Sequence, residues 1–133
     1  MTADPSRLPH VLLIIEDEDA VYRLLLRYFG TGRIVIRASS NEEAKIFFEG
    51  NIEKISFILS DVNVLDGSTV DFHREITPEV KRRGIRRIAI TSGCDTADQE
   101  YFRSEGIPLL RKPLDQDAIL IIRQIIMETM SSP

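Results

Sequence analysis

The chain has 133 residues, 43% hydrophobic and 29% charged, which is enough to bury one core. Its net charge of -4 argues against nucleic acid as a direct partner. The single cysteine, Cys94, excludes an internal disulfide and suits a reducing compartment, and no apolar run is long enough to span a membrane. We therefore expect a cytoplasmic protein with no membrane partner, made of a flexible arm over residues 1–9 and a single domain over residues 10–133.

Short apolar stretches alternate along the chain with stretches of helical spacing. The predicted strands cover residues 10–15, 34–38, 57–60, 87–91 and 109–111. The predicted helices cover residues 20–29, 41–49, 68–76, 95–105 and 115–130, with a short helical turn over 78–84. This alternation predicts a parallel sheet with helices on both faces, joined by right-handed crossovers.

Two local signals mark helix ends. Ser40 followed by Glu43 forms a capping box at the start of the second helix. Thr77-Pro78 predicts an interruption of the third helix, because proline lacks the amide hydrogen that a helix interior needs.

Polar side chains follow four of the predicted strands where each strand ends. Glu16 and Asp17 follow the first strand, Asp61 the third and Lys112 the fifth, and Thr91 ends the fourth. Because parallel strands end at one edge of the sheet, these side chains are expected to lie close together. Carboxylates that lie close together repel one another unless a hard cation lies among them, and Mg²⁺ prefers oxygen ligands. A lysine and a hydroxyl nearby suit a phosphoryl group. The chemistry therefore fits phosphoryl transfer to an aspartate.

The same residues, in the same order, resemble the receiver domain of two-component response regulators. The resemblance covers residues 10–130 and rests on Glu16-Asp17, Asp61, Thr91-Ser92 and Lys112-Pro113. It implies an α/β fold of the flavodoxin-like kind, a three-layer sandwich of a five-stranded parallel sheet, in the order 2-1-3-4-5, with five helices.

The resemblance also implies a role for each site residue. Asp61 is expected to accept a phosphoryl group from the phosphohistidine of a sensor histidine kinase or phosphotransfer protein. The expected Mg²⁺ ligands are Glu16, Asp17, Asp61 and the backbone carbonyl of Asn63. Lys112 would pair with the phosphoryl oxygens, and Thr91 would hydrogen-bond the phosphoryl group and shift on activation. The Lys112-Pro113 peptide is expected to be cis.

The sequence departs from the family pattern in two places. The turn from Asp61 to Gly67 is two residues shorter than usual and lacks a proline. Leu109 occupies the position where the family usually has a tyrosine or phenylalanine that moves with the threonine. The shorter turn affects the path of the loop and the position of the Asn63 carbonyl. Leu109 affects the usual threonine–aromatic relay.

Three functional interpretations follow. The first is a stand-alone receiver, not an enzyme beyond its own phosphorylation and dephosphorylation, which switches its binding to a downstream protein target or passes phosphate along a relay. The second is a pseudo-receiver, a binding module that is not phosphorylated. The third is a small Mg²⁺-dependent phosphatase or nucleotide-binding enzyme, which the absence of a Gly-rich phosphate loop disfavours.

The last predicted helix has more apolar surface than one core face requires. Ile119, Ile122 and Ile126 form one stripe at helical spacing, and Leu120, Ile121 and Ile125 widen it. A deeply packed helix and a homodimer or partner surface both explain this pattern.

Overall fold

The computed structural model describes residues 10–130, and of residue 130 the backbone alone. The predicted arm over residues 1–9 lies outside the described residues, as do residues 131–133. The strands are β1 (Val11–Ile15), β2 (Ile34–Ala38), β3 (Ile55–Asp61), β4 (Asn63–Val64), β5 (Gly67–Ser68), β6 (Arg86–Thr91) and β7 (Leu109–Arg111). The helices are α1 (Asp19–Phe29), α2 (Asn41–Gly50), α3 (Val70–Arg83), α4 (Thr96–Ser104) and α5 (Gln116–Met130).

Five strands form one parallel sheet in the order β2-β1-β3-β6-β7. Because β6 and β7 are the fourth and fifth of the predicted strands, this order confirms the predicted 2-1-3-4-5 arrangement, and the flavodoxin-like fold class is confirmed with it. In a parallel sheet all strands end at the same edge. The polar residues that follow β1, β3, β6 and β7 are therefore gathered at one edge.

The core lies on both faces of this sheet because neighbouring strand residues point in opposite directions. Leu13 and Ile15 of β1 belong to the cluster under α2 and α3, whereas Leu12 and Ile14 belong to the cluster under α1 and α5. A third cluster joins α4 to the sheet through the fully buried Phe102. None of the helices within residues 10–130 combines the length and the apolar character needed to cross a membrane.

The short turn after β3 folds into a two-stranded hairpin, which the sequence analysis did not predict. Strands β4 and β5 are antiparallel, with Asn63 paired to Ser68 and Val64 paired to Gly67. A two-residue connection, Leu65-Asp66, closes the hairpin. Gly67 has a φ of +114°, a backbone angle that residues other than glycine rarely adopt. The deletion of two residues is therefore accommodated by a compact, hydrogen-bonded turn.

The hairpin is attached to the start of α2 through Asp66. Its carboxylate accepts hydrogen bonds from the backbone N–H of Asn41 at 2.7 Å and of Glu42 at 3.2 Å. Ser40 accepts from the N–H of Glu43 at 3.1 Å, as the predicted capping box requires. The free N–H groups of the first turn of α2 thus all have acceptors. These hydrogen bonds also hold the pKa of Asp66 below its usual value.

The predicted interruption of the third helix is wrong, because α3 runs continuously through Pro78. Phe72 and Ile76 before the proline and Val80 after it are all buried in the same core cluster. A proline inside a helix costs about 3 kcal/mol, whereas burying one large apolar side chain contributes about 1.5–3 kcal/mol. Packing on both sides of Pro78 therefore outweighs the local preference to end the helix.

One titratable side chain is enclosed between α3 and α4. The imidazole of His73 is fully buried between the rings of Phe72 and Phe102, at centroid distances of 5.5 and 5.4 Å. Burial, and to a smaller extent the positive charge of Arg87, lower the pKa of His73 to about 3. The side chain is therefore neutral in the folded protein at neutral pH.

Removing the carboxylate of Asp66 should destabilise the fold by about 1 kcal/mol, because two N–H groups of α2 lose their acceptor. We expect Asp66→Ala to unfold at a lower urea concentration than the wild type when followed by circular dichroism. Asp71→Ala is the matched control, because Asp71 is an exposed aspartate of the first turn of α3 whose observed partner is the exposed Arg74. Equal effects of the two substitutions would contradict the role of Asp66 as a cap.

The buried histidine predicts a specific dependence of stability on pH. As the pH falls from about 6.5 towards 3, the unfolded chain binds a proton on His73 that the folded chain excludes, so the free energy of unfolding decreases. His73→Leu lacks this proton, and its unfolding free energy should fall less steeply, by up to about 1.4 kcal/mol per pH unit. Urea titrations across this pH range measure both slopes, and equal slopes would refute the prediction.

Candidate functional site

The loop between β1 and α1 carries three acids side by side. Glu16 continues the sheet by one residue, since its N–H donates to the carbonyl of Ala38 on β2 at 2.9 Å, and its side chain is fully buried. One carboxylate oxygen from each of Glu16, Asp17 and Glu18 lies within 4.8 Å of the others. Glu18 was not among the predicted site residues, although the run of four acids that follows β1 contains it.

Asp61 ends β3, the strand next to β1, and is 5% exposed. Lys112, which follows β7, reaches back across the sheet edge to both strands. Its Nζ donates to Oδ2 of Asp61 at 2.8 Å and to Oε1 of Glu16 at 3.1 Å, and Glu18 lies 3.8 Å from it. The structure therefore brings Asp61, Glu16 and Lys112 into direct contact, and places Asp17 beside Glu16.

The electrostatics of this group are strongly coupled. The pKa of Glu16 is raised to about 7. Burial raises it most and the negative charge of Asp61 raises it further, whereas the N–H of Glu18 and the ammonium of Lys112 lower it. For Lys112, burial lowers the pKa, but hydrogen bonding and attraction to Asp61 and Glu16 outweigh burial, so its pKa lies above the ordinary value. Lys112 is therefore a cation that joins the two buried carboxylates.

Asn63 contacts Asp61 through its amide. The backbone N–H of Asn63 donates to Oδ1 of Asp61 at 3.2 Å, and its side-chain amide donates to the carbonyl of Gly93 at 3.4 Å. The hairpin therefore places Asn63 against both Asp61 and the loop that follows β6. The sequence analysis assigned the backbone carbonyl of Asn63 to the metal, and this assignment stays a prediction. The contact that Asn63 makes with Asp61 is through its backbone N–H.

Thr91 ends β6 at the same edge of the sheet and is 4% exposed. Its hydroxyl accepts a hydrogen bond from the N–H of Gly93 at 3.0 Å, within its own loop. Its carbonyl accepts from the backbone N–H of Lys112 at 2.8 Å, which continues the pairing of β6 and β7 as far as the lysine. The Lys112-Pro113 peptide is cis, as predicted.

Leu109 occupies the position that the resemblance assigns to a mobile aromatic residue. The side chain is half-buried and packs on the third core cluster together with Tyr101 and Phe102 of α4. Leucine has neither a ring nor a hydroxyl. The structure thus offers no aromatic side chain at this position that could move with Thr91.

The donor set fits a hard divalent cation. Glu16, Asp17, Glu18 and Asp61 supply only carboxylate oxygens, the ligand type that Mg²⁺ prefers. Lys112 is the one ammonium in contact with this group among the described residues, so the four carboxylates retain an excess of negative charge. A bound cation would relieve this repulsion, of which the part from Asp61 adds to burial in raising the pKa of Glu16.

Comparisons with known proteins agree with this geometry at the level of the fold. Neither family models nor curated protein sequences give a match. The chain is similar to a solved response regulator receiver domain from Clostridium thermocellum, at 24% identity and a TM-score of 0.73, over 91% of this chain and 95% of that one.

Two further solved structures are a phosphorylated and a metal-bound response regulator. The phosphorylated cyanobacterial phytochrome response regulator RcpA is 15% identical, with a TM-score of 0.72, over 96% of this chain and 97% of that one. The Mn²⁺-bound form of response regulator Rcp1 is 18% identical, with a TM-score of 0.69, over 94% and 97%. At these identities the similarity establishes the fold. The chain therefore has the fold of the response-regulator receiver domain.

Proposed function

We propose that this chain is a phospho-accepting receiver, in which Asp61 takes a phosphoryl group from the phosphohistidine of a histidine kinase or phosphotransfer protein. One observation carries the proposal: Lys112 bridges the buried carboxylates of Asp61 and Glu16 at the carboxyl edge of a parallel sheet. The similarity to a solved structure described as phosphorylated supports the same assignment.

In the proposed reaction an Asp61 oxygen attacks phosphorus. The new bond joins this oxygen to phosphorus, the bond between phosphorus and the donor imidazole nitrogen breaks, and the imidazole leaves with that electron pair. Lys112 is already within 2.8 Å of Asp61, so its ammonium can pair with the incoming phosphoryl oxygens. The Thr91 hydroxyl would leave Gly93 and bond the phosphoryl group. Water later attacks the phosphorus, the bond between phosphorus and the Asp61 oxygen breaks, and inorganic phosphate leaves the free carboxylate behind.

The proposal includes Mg²⁺ held by the carboxylates of Glu16, Asp17 and Asp61 together with the carbonyl of Asn63. When bound, the cation neutralises charge on the carboxylates and on the phosphoryl group. Glu18 is a further carboxylate of the same group. The solved structure described as Mn²⁺-bound supports a divalent cation in this fold.

An apolar groove beside Lys112 supports a protein as the phosphodonor. It is lined by side chains of α1, including Val21 and Leu24, and by Pro113 and Leu114 after β7. Glu18, Ser92 and Lys112 lie at the same groove, so a protein docked there would reach the site. The proposed output is a change in binding to a downstream protein in the cytoplasm, without direct contact to nucleic acid.

A pseudo-receiver is the second candidate, and the hairpin is the observation that favours it. The shortened turn directs the N–H of Asn63 to Asp61, and this contact occupies one of the two oxygens that could react. In that case the chain would bind its partner without phosphorylation.

Incubation with Mg²⁺ and a small phosphodonor separates these candidates. We expect intact-mass analysis to show one base-labile phosphoryl group on the wild type and none on Asp61→Asn, because the acceptor carboxylate is removed. Asp71→Asn is the matched control and should be modified as the wild type is. A wild type that forms no adduct and does not bind Mg²⁺ would refute the receiver and favour the pseudo-receiver.

The last helix supports a homodimer as part of the proposal. Leu120, Ile121 and Met127 of α5 are large apolar side chains that are 45–57% exposed, whereas Ile122 and Ile126 are buried. The helix therefore carries an apolar surface in addition to the one that packs on the sheet.

A charge on this surface tests the dimer. We expect the wild type to sediment as a concentration-dependent dimer and Ile121→Glu to sediment as a monomer, because a carboxylate cannot be buried cheaply between two helices. Ile46→Glu, at an exposed isoleucine of α2, is the matched control and should leave the dimer intact. A wild type that is monomeric at all concentrations would exclude the dimer.

A further inference from the structure

Arg37 lies at the carboxyl end of β2, the edge strand of the sheet, and the sequence analysis gave it no role. In the register of the sheet it is paired with Ile14 of β1, two residues before Glu16. Arg37 is therefore placed beside the acidic loop, which consists of Glu16, Asp17 and Glu18 between β1 and α1. In the chain it is separated from that loop by all of α1.

The guanidinium of Arg37 is held by three groups of the β1–α1 segment. Its Nε donates to the backbone carbonyl of Glu16 at 3.1 Å. Its Nη2 lies 2.8 Å from Oδ1 of Asp19, the first residue of α1. Its carbon Cζ lies 4.4 Å from the centroid of the Tyr22 ring, one turn further along α1. The three groups hold both the position and the orientation of the planar head.

These contacts hold both ends of the acidic loop. Strand β2 holds both backbone groups of Glu16, since Ala38 accepts from its N–H at 2.9 Å and Arg37 donates to its carbonyl. The same guanidinium holds the start of α1 through Asp19 and Tyr22. The residues between these points, Asp17 and Glu18, are therefore carried by a segment whose two ends one side chain ties together.

We propose that Arg37 is a positioning residue that fixes the acidic loop so that the carboxylates of Glu16 and Asp17 are arranged for Mg²⁺. The inference rests on the proposed function, since it concerns the same site. Arg37 donates to a carbonyl of the loop and ion-pairs with Asp19, an acid outside the proposed ligand set. It therefore acts through the backbone of the loop.

Charge alone predicts the opposite effect, which makes the proposal testable. A cation beside the acidic loop repels Mg²⁺, so loss of the Arg37 charge by itself would tighten Mg²⁺ binding. Loss of a positioning contact weakens it. Arg37→Lys keeps the charge but loses the planar fork that bonds Glu16 and covers Tyr22. Positioning therefore predicts that Arg37→Gln and Arg37→Lys both weaken binding.

Two control variants separate this role from the general effect of losing an arginine. Arg33→Gln removes an arginine just before β2 that also donates to a backbone carbonyl, that of Phe29 in α1, at 2.9 Å. Arg123→Gln removes an arginine of α5 that donates to the backbone carbonyl of Tyr28 at 3.4 Å and covers the Tyr28 ring at 5.8 Å, so it matches the contacts of Arg37 at the other end of α1.

The experiment is a titration of each 133-residue chain with Mg²⁺, in which the backbone amide resonances of Glu18 and Asn63 report binding. We expect Arg37→Gln and Arg37→Lys to raise the dissociation constant about tenfold. Arg33→Gln and Arg123→Gln should stay close to the wild type. Unchanged or tighter binding in Arg37→Gln would overturn the proposal, as would wild-type affinity in Arg37→Lys.

Thermal unfolding without Mg²⁺ completes the test, because it separates positioning from general stability. The titrations are run well below the melting temperature of every variant. A lower melting temperature with an unchanged dissociation constant would show a purely structural role and overturn the proposal. If the wild type does not bind Mg²⁺, the proposed function and this inference are both refuted. If the wild type binds Mg²⁺ and the Arg37 variants have the same dissociation constant, this inference alone is refuted.

Discussion

The ammonium of Lys112 between the carboxylates of Asp61 and Glu16 is the interaction on which the edge of this fold depends. Two buried carboxylates in contact would repel each other strongly, and an unpaired buried charge is costly. Lys112 comes from a position 51 residues after Asp61 and 96 residues after Glu16. Only the parallel order of β1, β3, β6 and β7 brings the three together, so the sheet topology and the site require each other.

The hairpin shows how a change in loop length is absorbed next to such a site. Two residues fewer after Asp61 leave room for a tight turn, and this turn is anchored by Asp66 on α2 and by Asn63 on Gly93. The loop that follows the proposed acceptor is thus attached to α2 and to the loop that precedes α4. Asn63 links this loop to Asp61, because its N–H donates to the Asp61 carboxylate.

Arg37 and Lys112 act on the acidic loop from opposite sides. Lys112 contacts the side chains of Glu16 and Glu18, and Arg37 contacts the backbone of Glu16 and the start of α1. Lys112 offsets part of the negative charge of the carboxylates, and Arg37 holds the backbone that carries them. A loop with three consecutive acids is costly to order without both, because the like charges repel one another.

The sequence by itself determined the alternation of strands and helices, the capping box at Ser40 and the polar residues at the strand ends, because these are encoded by local periodicity and short motifs. Tertiary structure alone decided the rest. Pro78 lies inside α3 because core contacts on both sides outweigh a local preference. The bonds of Asp66 to α2, the contact of Glu18 with Lys112 and the contacts of Arg37 join residues that are far apart in the chain. No local pattern records which of these residues meet.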